Sequence, residues 1–212
     1  MLHKNPFIIA PATFALTQEL QALPELEGFH LVGGTSLALQ LGHRNSIDID
    51  LFTHHEFNTN SLVDMLKNKG FKIEVSFQKG NALLSYINNI KVDFIRHNYP
   101  YIKPPITEEG ITYLSMEDIC AMKINAIHDS GKRLKDFIDI YFLLEHFSIK
   151  QMLDFFCIKY PNTNPVIPLR AITYFDDIDE DIDPPKLLHP ISLDEIKNRI
   201  KDGVLHGGKI FR

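Results

Sequence analysis

Two aspartates one residue apart inside an otherwise apolar run, SIDIDLF at residues 46–52, constrain the fold of this chain more than any other feature. In an extended strand the side chains alternate, so Asp48 and Asp50 share one face while Ile47, Ile49 and Leu51 take the other. One face therefore belongs to a core, and the other carries two carboxylates side by side. Held that close they repel, and one takes up a proton unless a cation neutralises the pair. Magnesium suits that need, because it binds through one or two carboxylates, keeps waters and completes its shell with substrate phosphates. An edge strand with a solvated acidic face is the plainer alternative.

Residues 29–32, FHLV, read as a short apolar strand, and Gly33-Gly34 then turns into residues 35–41, with Leu37, Ala38 and Leu41 at i, i+1 and i+4. This order predicts strand, glycine turn and helix. Glycines take up positive φ and let the backbone approach a ligand, while the free N–H groups and dipole of a helix N-terminus attract phosphate. Thr35 and Ser36 add hydroxyls that either cap the helix or touch a phosphate. For the glycine pair alone, a tight turn with such a cap is the simpler reading.

A third carboxylate is offered by KVDFIRH at residues 91–97, where Val92 and Phe94 face the core and Lys91, Asp93 and Ile95 the opposite side. Residues 81–89 form a preceding strand that ends in an Asn88-Asn89 turn, so a hairpin could set Asp93 beside the first pair. By itself Asp93 is an ordinary surface residue of a hairpin. Three converging carboxylates, by contrast, are what a two-metal phosphoryl-transfer site needs.

GGTSLAL, HRNSIDIDLF and KVDF together resemble the nucleotidyltransferase-fold proteins grouped as the AbiEii/AbiGii toxin family, also described by the domain of unknown function 1814. The resemblance continues through residues 116–144, MEDICAMKINAIHDSGKRLKDFIDIYFLL, and 172–180, ITYFDDIDE, so it spans nearly the whole chain. It implies that Gly33, Gly34 and Thr35 form the phosphate-binding turn, to which the residues themselves add Ser36, that Asp48 and Asp50 bind metal, and that Asp93 is the third carboxylate. It implies further that Lys123 and Asp136 are the polar positions of two later motifs, on helices that close over the nucleotide. Arg44 and Ser46 match the pattern as supports of the strand. Members are toxins of toxin–antitoxin or phage-defence pairs, and some transfer nucleotides from a triphosphate to the acceptor end of tRNA. The expected cofactor is Mg2+, as two ions with Mn2+ as a substitute, and the expected partners are a nucleoside triphosphate, an RNA or tRNA acceptor and a cognate antitoxin.

The later motifs have their own local logic. Ser115 to Asp118 has capping-box spacing, and Ile119, Met122, Ala126 and Ile127 make a helical stripe. Lys123 lies beside that stripe, where a lysine snorkels to solvent or meets a bound anion. Gly131 interrupts the pattern before a second helix that carries Asp136, Phe137, Ile140, Tyr141 and Leu144. Lys132, Arg133 and Lys135 read as a solvated face or, less simply, a small phosphate patch.

Proline and turn residues in YPYIKPPITEEG mark a linker, which divides the chain into residues 1–105, a nucleotidyltransferase-fold domain, and 106–212, a helical bundle. The fold class is α/β (α+β), a mixed sheet with flanking helices. The first part includes a helix at 61–69 and an alternating strand at 71–77. Helices are expected at 115–129, 132–147, 148–160, 165–175 and 193–203, with capping boxes at Ser148/Gln151 and Ser192/Glu195.

Net charge of −5 gives no global basic signature, so an RNA acceptor needs a local patch. Cys120 and Cys157 lack metal-ligand spacing and read as reduced core residues. Pro11 breaks the apolar run at 7–16, which reads as a mature N-terminus, and no run approaches the roughly 18 apolar residues of a membrane span. A cytoplasmic protein is expected. The acidic stretch 176–183 lacks the glycine and glutamate of an EF-hand and reads as a solvated loop, and His54-His55 as surface. The resulting expectation is a metal-dependent transferase of nucleoside monophosphate from a triphosphate to an acceptor hydroxyl. Its rivals are a catalytically silent module that senses a nucleotide and binds a protein, and a small-molecule nucleotidyltransferase.

Overall fold

A computed structural model describes residues 1–182 and 184–211. The chain forms two compact units, Met1–Tyr99 with Pro105–Leu114, and Pro100–Pro104 with Ser115–Arg212.

The first unit is built on a seven-stranded mixed sheet of order β3-β4-β5-β2-β1-β7-β6. Its strands are β1 (His30–Val32), β2 (Ile49–Thr53), β3 (Ile73–Lys79), β4 (Ala82–Ile87), β5 (Ile90–Arg96), β6 (Ile106–Glu108) and β7 (Ile111–Tyr113). Helices α1 (Pro11–Gln21), α2 (Gly33–Leu41) and α3 (Thr59–Asn68) flank them. Asn88 and Asn89 both take positive φ, 50° and 66°, as the two-residue β4–β5 turn requires. The alternation of β5 holds: Val92 and Phe94 are fully buried. Phe29 meets Phe94 and Phe57 edge-on, with ring centroids 5.7 and 5.2 Å apart. Each such buried apolar side chain contributes about 1.5–3 kcal/mol.

Three local expectations change. β2 begins at Ile49, so Asp48 precedes the strand, and Ile47 is 59% exposed instead of joining the apolar face. β3 is an edge strand that pairs only with β4, and its Val75 and Phe77 are exposed. α1, which starts at Pro11 with no preceding cap side chain, occupies part of the apolar N-terminal run and buries Leu16 and Leu20. Proline is well suited to a first helical turn, where its missing N–H is not needed.

The expected boundary at 105/106 is also corrected. Residues 106–113 form the β6–β7 hairpin of the first unit's sheet, closed by Glu109 and Gly110 at φ 53° and 77°. Ile111 and Tyr113 are buried there. Residues 100–104 instead join the helices, because the Asp118 carboxylate accepts from Ile102 N and Lys103 N while Lys159 Nζ donates to Pro100 O.

The second unit contains α4 (Met116–Asp129), α5 (Leu134–Leu143), α6 (Ile149–Lys159), α7 (Val166–Ala171) and α8 (Leu193–Leu205). Ser115 caps α4, and Ser148 and Ser192 open α6 and α8 with complete capping boxes, as their spacing predicts. Ile119, Ile124, Phe137, Ile140, Leu143, Met152, Phe156 and Ile200 are buried. Cys120 is buried, Cys157 half-buried, and both are free thiols. Among the described residues no helix is long and apolar enough to cross a membrane.

Candidate active site

The aspartates meet through strand register. β2 and β5 run parallel with Asp50 opposite Asp93, although α3, β3 and β4 separate the two strands in sequence. On its other side Asp50 pairs with Val32, the last residue of β1. The chain then turns directly into α2 at Gly33, with φ 68°. A Cβ on Gly33 would run into Asp50 Oδ2, and one on Gly34 into the Arg44 guanidinium. The turn favours glycine at 33, and at either position an added Cβ would force the Asp50 carboxylate or the Arg44 guanidinium to shift. Arg44 is 2% exposed and donates from Nη1 to Asn45 O at 2.8 Å.

Thr35 and Ser36 are buried, and their hydroxyls are engaged inside the unit. Thr35 Oγ1 bridges Ser46 Oγ, at 2.8 Å, and the carbonyl oxygen of Asp48, so it holds the segment that presents the Asp48 side chain. Ser36 Oγ accepts from Gln40 Nε2 at 3.1 Å. No side chain caps α2, whose preceding residue is Val32. What the turn offers a ligand is therefore backbone N–H groups, with the two hydroxyls supporting them from within.

Lys91 stands among the carboxylates, with Nζ 3.1 Å from Asp93 Oδ2 and 4.0 Å from Asp48 Oδ2. Asp93 is 7% exposed, and its Oδ1 is buried without a hydrogen-bond partner. Burial pushes the Asp93 carboxyl above its usual range, Lys91 pulls it back, and Asp48 adds to the rise. Burial opposes the Lys91 ammonium, but Asp93, Asp48 and Asp50 outweigh that and raise its pKa. Three carboxylates thus face one ammonium. Among the described residues no group of three or more histidine, cysteine, aspartate or glutamate side chains closes on a single point. The three carboxylates are neighbours rather than a finished ligand shell. An oxygen-only donor set with an orphaned buried oxygen nonetheless fits a hard divalent cation.

Lys123 and Asp136 belong to the second unit and lie in a different setting. The Lys123 side chain is 5% exposed, and its Nζ is 2.7 Å from both Asp136 Oδ1 and Asp139 Oδ2. Arg133 grips the same Asp136 through Nε and Nη2, at 2.9 and 3.1 Å. Burial would raise the Asp136 pKa, but Lys123 and Arg133 together lower it. Lys123 therefore neither snorkels to water nor offers a bare ammonium, and Arg133 joins an ion-pair network. Asp139 was not expected from sequence, although it follows Asp136 at i+3 on one helix face. Nor was the fully buried pair of Lys159 with Asp118, 2.8 Å apart.

His54 is partly buried and His55 exposed. Residues 176–182 are mostly exposed, in line with a solvated loop, and Asp183 lies outside the described residues.

A family model described as the nucleotidyl transferase AbiEii toxin of type IV toxin–antitoxin systems matches residues 15–188. An uncharacterized protein of Aquifex aeolicus (strain VF5) is 31% identical over 163 residues, covering 73% of this chain and 77% of that protein. Two solved structures share the fold. MenT4, a nucleotidyltransferase toxin of Mycobacterium tuberculosis, superposes with a TM-score of 0.61 at 16% identity, over 92% of this chain and 82% of that one. JHP933 from Helicobacter pylori gives 0.58 at 19% identity, over 91% and 87%.

Proposed function

The chain belongs to the nucleotidyl transferase AbiEii toxin family, and from that premise we propose that it transfers a nucleoside monophosphate from a triphosphate to a hydroxyl of RNA, with tRNA the leading acceptor. A type IV toxin implies a cognate antitoxin, and the expected place of action is the cytoplasm.

The observation that carries the reading is the register of β2 with β5, which sets Asp50 beside Asp93 at the turn into α2. Like charges placed opposite one another on adjacent strands destabilise a sheet, so their pairing here calls for a use. Asp48, Asp50 and Asp93 would hold Mg2+, or Mn2+ in its place. Bound there, divalent ions would neutralise phosphate charge and acidify the attacking hydroxyl. The uncapped N–H groups at the start of α2 hold the triphosphate tail. Asp93, placed beside Asp50 by the strand register, helps to activate the acceptor hydroxyl. The hydroxyl oxygen bonds to the α-phosphorus, the bond from that phosphorus to the bridging oxygen breaks, and pyrophosphate leaves.

The test is incubation of the protein with each α-labelled triphosphate, Mg2+ and total RNA. Label in RNA that disappears with EDTA is the expected result. Triphosphate binding without transfer to RNA would favour a nucleotide sensor, and label on a small molecule would move the acceptor out of the nucleic acids.

A further inference from the structure

Lys91 has no part in the reaction just described, yet its ammonium lies within 4.0 Å of both Asp93 and Asp48. We propose that Lys91 is a tethered counter-cation which holds the site together when no divalent ion is bound, and which an arriving ion must displace. The inference rests on the assignment of Asp48, Asp50 and Asp93 to the metal.

Lys91 lies two residues before Asp93 on β5, so both side chains leave the same face of the strand. One ammonium reaches Asp93 Oδ2 at 3.1 Å and Asp48 Oδ2 at 4.0 Å, and so spans the two segments that carry the site. That single charge is shared by two carboxylates, Asp93 and Asp48. Asp93 Oδ1, buried and unpartnered, remains an acceptor that Lys91 does not satisfy. A divalent ion that uses these oxygens brings two positive charges close to the ammonium, and the two repel. The side chain is 41% exposed and flexible, so it has a path to solvent. The ion gains the carboxylates, and the lysine regains water. Divalent-ion affinity is then set by a competition within the chain, and the ion-free site avoids the full repulsion between Asp93 and Asp48.

The test measures Mn2+ binding by electron paramagnetic resonance on the full chain, together with thermal unfolding in EDTA. Lys91→Met keeps the stem and removes the competing charge, and it should bind Mn2+ roughly tenfold more tightly, the scale of one charge-assisted contact. It should also unfold at a lower temperature than the native protein in EDTA and gain more from added Mn2+. Lys91→Arg keeps a competing cation and should stay near native affinity. Unchanged or weaker Mn2+ binding by Lys91→Met would overturn the proposal while leaving the metal site standing, provided that Asp50→Asn abolishes native binding. If neither the native protein nor Lys91→Met binds Mn2+, both the proposal and the metal assignment fall.

Discussion

Asp93 in the sheet unit and Asp136 in the helical unit are both buried carboxylates beside a lysine, with N–O distances of 3.1 and 2.7 Å, yet their surroundings differ in closure. Around Asp136 two cations, Lys123 and Arg133, meet two anions, Asp136 and Asp139, and Lys123 is 5% exposed. Around Asp93 a 41% exposed lysine reaches Asp93 and, at 4.0 Å, Asp48. In the first the lysine is closed off from solvent, whereas in the second it is open to solvent beside a buried, unpartnered Asp93 oxygen, which leaves an acceptor for a cationic ligand. The pKa shifts follow the same division: Asp136 is lowered and Asp93 raised.

The largest effect should come from breaking the closed cluster. Lys123→Met leaves two buried carboxylates without their shared ammonium, and about 3–5 kcal/mol of folding stability should be lost in urea unfolding. A midpoint that stays put while triphosphate binding collapses would show instead that Lys123 serves the nucleotide, and the contrast between the clusters would dissolve. In the open cluster, Asp48→Asn and Asp50→Asn should each slow labelled transfer by on the order of 10²–10³-fold while leaving the unfolding midpoint near native. Native rates in both variants with Mg2+ present would remove the metal assignment.

Gly33→Ala sits between these cases, because it forces an alanine to φ 68° and drives a methyl into Asp50. About 1–3 kcal/mol of stability should be lost, and transfer should fall with it because Asp50 must move. Equal transfer rates for Gly33→Ala and the native chain would show that the position of Asp50 does not matter.

The smallest effect concerns pH, where the two clusters should respond with opposite sign. Asp136 has a depressed folded pKa, so its contribution is present above the unfolded value of about 3.9 and is lost as pH falls through the folded pKa. Asp93 has a raised folded pKa, so its contribution is full below about 3.9 and is lost as pH rises through the folded pKa. Metal-free unfolding curves across mildly acid pH, compared with those of Asp136→Asn and Asp93→Asn, should diverge from native in opposite directions. A common direction would mean that the two carboxylates share one kind of environment.

Local patterns carried much of this structure. The apolar alternation of β5, the Asn88-Asn89 turn and the serine caps depend on neighbours in sequence, and all formed as their residue types dictate. The β6–β7 hairpin was hidden because prolines at 100, 104 and 105 made the region read as linker. The visible signal was Glu109-Gly110 between two alternating Ile-Thr pairs. In the site, the shared side of Lys91 and Asp93 was legible from strand alternation, whereas the pairing of Asp50 with Asp93 depends on a parallel crossover more than forty residues apart in sequence, as the two residue numbers show. The ion pairs of Lys123 and Lys159 lay beyond sequence reading for a similar reason, since their partners come from other helices or the start of another.

The central claim, that the cluster of Asp48, Asp50 and Asp93 is the catalytic one, is tested most directly by Asp93→Asn, with labelled-nucleotide transfer and the urea midpoint measured on the same preparation. The account predicts transfer reduced by on the order of 10²-fold or more, with a midpoint equal to or above native because repulsion is relieved. Native transfer by Asp93→Asn, or loss of transfer only in step with a collapse of the fold, would contradict it.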